Sequence, residues 1–232
     1  PWDIQVRQQC FKFLLEQHEN QECKDMVERT ILTLLDSVSI FNANFPLDLP
    51  IYQSLINIET SNPNARPLRS VLIHHPDMFN DYFSRCINFS VENGFYYYRA
   101  ISEFFVYNFR NFLQSDLNDN VKIVIDNAGK LILSGLIFIA SSHSDFRKSA
   151  FSLLKCIIPI ICAFYDKENI QHSANINTYL NQHQNELNNY SITPSSQQVY
   201  ELAENISTNM PFIVSKVFES FFELFSKNEK LS

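Results

Sequence analysis

The densest hydrophobic patterning in the chain lies in residues 130–159, KLILSGLIFIASSHSDFRKSAFSLLKCIIP. Residues 131–140 are almost wholly apolar. A polar break follows at Ser141-Ser142-His143-Ser144, and Arg147, Ala150 and Leu154 then recur at helical spacing behind Asp145. The pattern predicts two antiparallel helices with a short loop, the second capped by Asp145 or Ser144. A helix pair that is apolar on both sides must bury each side against neighbours of the same kind, which is how stacked helical repeats are built.

The same period runs along the rest of the chain. Residues 2–16 predict a helix capped by Asp3, with Ile4, Val6, Cys10, Phe11, Phe13 and Leu14 on a wide apolar face. Residues 25–39 predict another, with Met26, Val27, Ile31, Leu34, Leu35 and Val38 inward. Pro46 and Pro50 punctuate a loop, and short helices follow at 49–60 and 66–74, the latter stopped before Pro76. Pro76-Asp77 opens a helix whose stripe is Met78, Phe79, Tyr82, Phe83, Cys86, Ile87 and Phe89. Asn93-Gly94 reads as a turn before a long aromatic helix over 95–112, with Tyr98, Ile101, Phe104, Phe105 and Phe109 inward. Residues 121–139 give one long helix or two short ones, interrupted near 127–129. The central helix over 145–165 is expected to kink or end near Pro159. Residues 166–193, rich in Asn, Gln and His, read as a polar loop or insertion holding at most one poorly packed helix at 174–187. Helices resume at 194–210 (Val199, Leu202, Ala203 and Ile206 on one face) and at 211–227, with Ile213, Val217, Phe218, Phe221, Phe222 and Phe225 inward. The fold class this predicts is all-α, an α-solenoid of HEAT/armadillo-like antiparallel helix pairs forming one repeat segment over residues 1–232.

Composition narrows the class. A chain of 232 residues has room for roughly four to five helix pairs of about 40–47 residues. Three glycines in that length argue against dinucleotide-binding, phosphate-loop and β-rich folds, which need glycine at turns or beside phosphates. Twenty-one Phe and ten Tyr suit packed helix faces. A net charge of −7, with no basic run longer than Arg147-Lys148, disfavours nucleic acid as a main partner. Cys10, Cys23, Cys86, Cys156 and Cys162 are odd in number and lack CxxC spacing, so they read as reduced thiols in a cytoplasmic protein. Pro1 stands where an initiator Met would and no signal peptide follows, so the chain reads as a piece of a larger scaffold. The apolar runs at 131–140 and 156–165 are shorter than the about 20 residues of a membrane span, so none is expected.

Few residues invite chemistry. His74-His75-Pro76-Asp77 could suggest a metal or a general base, but adjacent histidines on a helix point about 100° apart and do not chelate as an i,i+4 pair does. A histidine at a helix end meeting the negative dipole accounts for them. His172 and His183 have no Cys, Asp or Glu at a spacing that would complete a metal site and read as solvated loop residues. There is no Gly-x-Ser-x-Gly elbow. Cys156 and Cys162 lie in apolar surroundings that suppress thiolate reactivity. Phe95-Tyr96-Tyr97-Tyr98 reads as core packing with one exposed edge rather than a base-stacking platform. The sequence assigns no catalytic residue, no cofactor-binding residue and no metal ligand, and it implies no cofactor.

Two short patterns resemble the second helix of a HEAT repeat: Asp3-x-x-Val6-Arg7-x-x-Cys10-x-x-x-Leu14, and more loosely Asp145-x-Arg147-x-x-Ala150-x-x-x-Leu154. There the Asp caps, the small residue allows close helix approach, and the Arg points to the seam between repeats. Four segments in order resemble the cell morphogenesis family, the Furry-type HEAT/armadillo scaffolds. The first runs from Leu68-Arg69-Ser70-Val71-Leu72 through His75-Pro76-Asp77-Met78-Phe79 to Arg85-Cys86. The second is Phe95-Tyr96-Tyr97-Tyr98-Arg99-Ala100-Ile101-Ser102-Glu103-Phe104-Phe105. The third is residues 130–154. The fourth is Pro194-Ser195-Ser196-Gln197-Gln198-Val199-Tyr200-Glu201-Leu202-Ala203 and on to Phe218-Glu219. The likeness covers roughly residues 46–227. The chain departs from the pattern at Ser84-Arg85-Cys86 and at Asn209-Met210-Pro211, where the family carries an acidic residue, and residues 114–127 and 166–193 look like insertions.

The resemblance implies a non-enzymatic scaffold segment that supports signalling by NDR-type kinases and their Mob coactivators in cell polarity and morphogenesis, at the cell cortex or sites of polarised growth. Two other readings stay open on the sequence. A helical-repeat flank of a neurofibromin-like RasGAP carries similar helix pairs. An enzyme acting on a small molecule or lipid would need a deep pocket with convergent polar groups.

Overall fold

The structure is a computed structural model that describes residues 3–18, 20–88, 91–114, 119–165, 170–187 and 194–228. Among these the chain is all-α, with no strand beyond one isolated bridge between Asn42 and Phe45. The chain divides into two compact units, Pro1–Phe104 and Phe105–Ser232.

The first unit holds α1 (Ile4–Gln17), α2 (Lys24–Ser37), α3 (Leu49–Ser61), α4 (Pro67–His74), a 3-10 turn (Pro76–Met78), α5 (Phe79–Asn88) and the first part of α6 (Val91–Gln114), within which the division falls. The starts follow from the sequence. Asp3 accepts from the Gln5 N–H (3.0 Å), Asp48 accepts from the Ile51 N–H (3.1 Å), and Pro50 and Pro67 occupy first turns where a missing N–H costs nothing. Arg7 donates to the Ser39 carbonyl at 2.8 Å, so the arginine of the first HEAT-like pattern does join α1 to the chain leaving α2. At the centre Tyr52, Tyr82 and Tyr97 are fully buried, their ring centroids 5.3–5.7 Å apart. Their hydroxyls cannot be buried unpaired: Tyr82 donates to the Leu68 carbonyl (3.0 Å) and Tyr52 to Asp81 (2.6 Å). Asn93-Gly94 is not a turn. The helix runs through it, because burying Tyr97, Tyr98 and Ile101 on one face outweighs the about 1 kcal/mol helix penalty of a glycine.

The second unit holds α7 (Asp119–Asp126), α8 (Ala128–Ile139), α9 (Ser144–Tyr165), α10 (Ile170–Gln182), α11 (Gln184–Leu187), α12 (Ser196–Asn209) and α13 (Pro211–Asn228). The predicted interruption near 127–129 falls at Asn127. Helix α8 packs on both α9 and α13, and its buried residues lie all round the helix: Leu131, Ile132, Leu133, Ser134, Gly135 and Ile139. Two glycines permit this. A Cβ on Gly129 would stand 2.2 Å from the Lys216 carbonyl oxygen of α13, and one on Gly135 would stand 2.5 Å from Leu154 Cδ2 of α9. Helix α12 opens with a reciprocal capping box, Ser195 Oγ accepting from the Gln198 N–H (3.2 Å) and Gln198 Oε1 accepting from the Ser195 N–H (2.7 Å).

Several expectations are corrected. Ser144 and Asp145 lie in the first turn of α9, and its first helical bond goes to the His143 carbonyl. Arg147 is 1% exposed and donates to the carbonyls of Ser141 and Ser142, both at 2.8 Å, because those loop carbonyls lie just behind it. Pro159 does not end α9, which continues to Tyr165. At 22 residues α9 is long and apolar enough to cross a membrane, which the separate apolar runs hide; over half of that stretch is buried within its own unit. Residues 170–187 are not a loop. Ile176, Leu180 and Leu187 are buried, and three aliphatic anchors at i, i+4 and i+11 hold an otherwise polar helical segment. Residues 166–169 and 188–193 lie outside the described residues, as do the side chains of Phe89, Phe109 and Phe225. Met26 is 66% exposed, and Phe13, Phe218, Phe221 and Phe222 also face outward, because those helices carry apolar arcs wider than their neighbours cover.

The two glycines of α8 should differ in cost. At Gly129 the obstacle is backbone, which cannot move aside; at Gly135 it is the tip of a leucine. Gly129→Ala is expected to destabilise the protein by about 1–3 kcal/mol and Gly135→Ala by less, despite the gain in helix propensity at both. Urea unfolding of the two variants checks the order.

Candidate functional site

The residues that looked most reactive in sequence are not brought together. His74 ends α4 and its Nε2 lies 3.0 Å from the Asp36 carbonyl. His75 packs its ring edge-on to Phe41 at 5.6 Å, and burial pushes its pKa down. His183 is not merely solvated. Its Nδ1 pairs with Glu186 at 2.7 Å and its ring lies against Tyr179, and the hydrogen bond from His183 holds the Glu186 carboxyl below its usual range. No group of three His, Cys, Asp or Glu with metal-holding geometry occurs among the described residues. Cys162 is buried and the Cys156 thiol is pushed up to about 11 by burial, against reactivity at neutral pH. In the aromatic cluster Tyr97 and Tyr98 are core, while Phe95 and Tyr96 are half-buried under the Arg99 guanidinium, 5.1 and 5.3 Å from their centroids.

The first unit carries polar side chains that sequence reading missed, because each lies on a face otherwise apolar. Glu28 is 5% exposed and accepts from Ser61 (2.9 Å) while pairing with His18 (2.9 Å), joining the ends of α1, α2 and α3. Glu59 is 3% exposed and paired with Arg99, whose Nε donates to it at 2.9 Å; Arg66 pairs with Glu103 (2.8 Å) on the same helix faces. Asp81 gathers Tyr52 and Arg85, and Arg85 lies 4.1 Å over the Tyr52 ring. These are links between helices. Each carboxylate meets a protein cation or hydroxyl.

In the first unit an opening of about 530 Å³ lies on α2, lined by Asp25, Met26, Arg29, Thr30 and Thr33; a more apolar opening is in the second unit. A groove of about 550 Å³ runs between α8, α12 and α13. Ile132 and Leu136 of α8 form its floor with Ile206 and Ile213, Ala203 and Val217 line its walls, and Tyr200 and Phe218 stand at its lips, 62% and 58% exposed. Phe221 and Phe222 continue the exposed apolar surface along α13, 40% and 66% exposed. Among the described residues Glu204 is the one charged side chain in the lining, with Ser207 and Thr208 beside it. The period of α12 explains the wall: 200, 203, 204, 207 and 208 share one helix face, while Leu202 turns to the core and Ile206 lies between core and groove floor. The sequence pattern places Ala203 on one face with Val199, Leu202 and Ile206 and does not single out Tyr200.

Comparison of the chain with protein-family models, with curated proteins and with solved structures returns no match.

One of the buried carboxyls has a pH signature. Burial raises the Glu59 pKa and the Arg99 guanidinium lowers it; burial prevails, and the carboxyl is pushed from 4.5 up to about 7. The folded state then holds the proton more tightly than the unfolded chain. Its contribution to stability is fully present below about pH 4.5 and is lost as pH rises through about 7. Glu59→Gln, neutral throughout, should flatten that dependence by an amount on the order of 1–3 kcal/mol between pH 5 and 8, measured by urea unfolding at both values.

Proposed function

We propose that this chain is a non-enzymatic helical scaffold segment whose role is to bind a protein partner. The observation that carries this reading is the chemistry of the groove on the second unit. Its floor and walls are aliphatic, its lips are exposed aromatics, and one carboxylate supplies its charge. A site that aligns a small substrate for reaction converges several polar groups on it; a surface that receives part of another protein presents apolar anchors with a sparse polar edge. The stacking of α8 on α9 and of α12 on α13 supports arrangement of these helix pairs as an α-solenoid of HEAT/armadillo type.

The finer reading rests on the four ordered sequence segments. By that resemblance the chain is a Furry-type segment in the cytoplasm, at the cell cortex or sites of polarised growth, supporting an NDR-type kinase and its Mob coactivator in cell polarity and morphogenesis. Affinity purification of the full-length protein from its own cells, followed by mass spectrometry, tests it. Recovery of such a kinase together with Mob is the expected outcome. Recovery of a small GTPase with neither would replace it with the reading of a helical flank of a neurofibromin-like RasGAP.

A further inference from the structure

We infer that the groove between α8, α12 and α13 receives an amphipathic helix that sets a lysine or arginine against Glu204. The inference rests on the scaffold reading and names the partner's chemistry. Its first ground is hydrogen bonding. The groove is walled by helices, whose backbone N–H and C=O groups bond within themselves, and by aliphatic side chains. An extended peptide laid there would bury most of its backbone groups against aliphatic surface, with only Glu204, Ser207 and Thr208 to bond them. A helix arrives with those bonds already made and offers side chains alone.

The second ground is shape and spacing. Tyr200 of α12 and Phe218 of α13 stand at the lips over a floor that includes Ile132 and Leu136 of α8. A trough between two helices takes a third helix along a ridge of residues spaced i, i+3, i+4 and i+7. The aromatic surface continues along α13 through Phe221 and Phe222, so contact extends beyond the groove.

The third ground is charge. Glu204 is exposed within the lining, and among the described residues no Lys or Arg lines the groove. The nearest cations along α8 and α13 are engaged elsewhere: Lys130 pairs with Glu223 at 3.4 Å and the Lys216 ammonium lies 5.6 Å over the Tyr165 ring. A partner that covers Glu204 must supply a cation or leave a carboxylate without water or counter-charge. The same carboxylate works against a fatty acid or an anionic membrane surface, either of which would otherwise suit exposed phenylalanines.

The test is selection from a displayed library of helix-forming peptides, panned on the full chain and on two variants. On the unsubstituted chain, enriched peptides should carry apolar residues at i, i+3, i+4 and i+7 with a Lys or Arg at a fixed offset. On Glu204→Lys, a change at an exposed position that leaves packing intact, the selected residue at that offset should become Asp or Glu. Individual peptides should weaken about tenfold or more on Ala203→Glu, which places a charge in the apolar wall. Enriched peptides without helical spacing, or with undiminished binding to Ala203→Glu, would overturn the groove as the site. Retention of the cation preference on Glu204→Lys would overturn the assignment of Glu204, and that readout stands even if Ala203→Glu does not fold. If the unsubstituted chain forms a dimer that Glu204→Lys disrupts, the occupant is a second copy and the inference is replaced. Failure of the scaffold reading looks different: no protein partner is recovered from cells at all, whereas failure of this inference leaves partners whose recovery ignores both substitutions.

Discussion

Helix α8 is buried over most of its surface, and the second unit depends on that. A twelve-residue helix with eight buried residues must let two other helices approach its backbone on different sides. Side chains of ordinary size would hold those helices apart, at interaxial distances of about 8–10 Å. Gly129 brings the α13 backbone in, and Gly135 admits Leu154 from α9. Everything outside α8 is positioned by those approaches, including the α12–α13 surface that forms the groove. The groove's floor includes the part of α8 that α12 and α13 leave partly open, at Leu136, with Ile132 buried beneath it.

The first unit solves a different problem. Its helices carry more polar groups on their packing faces, and it matches them pairwise: Glu28 with His18 and Ser61, Glu59 with Arg99, Asp81 with Tyr52 and Arg85. Such links contribute little net energy compared with aliphatic packing, since removing the charges from water offsets much of their attraction. What they impose is register. A helix slipped by one residue would strand a buried carboxylate, so alternative packings of the same apolar faces are penalised.

Much of the helical architecture could be read from the chain because it rests on local signals. Asp3, Asp48, Ser195 with Gln198, and the first-turn prolines are written at the positions where helices begin, and the break at Asn127 was visible in a run of apolar residues. What could not be read depends on neighbours. Phe218, Phe221 and Phe222 have the same local pattern as buried residues, and only the reach of α8 decides that they face outward. Residues 170–187 look like a loop by composition, yet Ile176, Leu180 and Leu187 suffice to hold helices when other helices are present to receive them. The groove was hidden for the same reason: an apolar helix face is the same string of letters whether it is covered or open.

The bonds from Arg147 to the carbonyls of Ser141 and Ser142 span only five and six residues. Together with the stacking of Phe138 on Phe146 at 4.6 Å, they make α8 and α9 a hairpin of almost entirely local contacts. Local contacts close quickly, because little chain entropy is lost before they form. The seat at Gly129 is filled by residues about ninety positions later, at Lys216 and Ser220. During vectorial synthesis the hairpin can therefore assemble while α8 still shows its α13-facing side, and the unit closes only when α13 has emerged. For that interval the strip around Gly129 is the part of this protein that a chaperone would have most reason to cover.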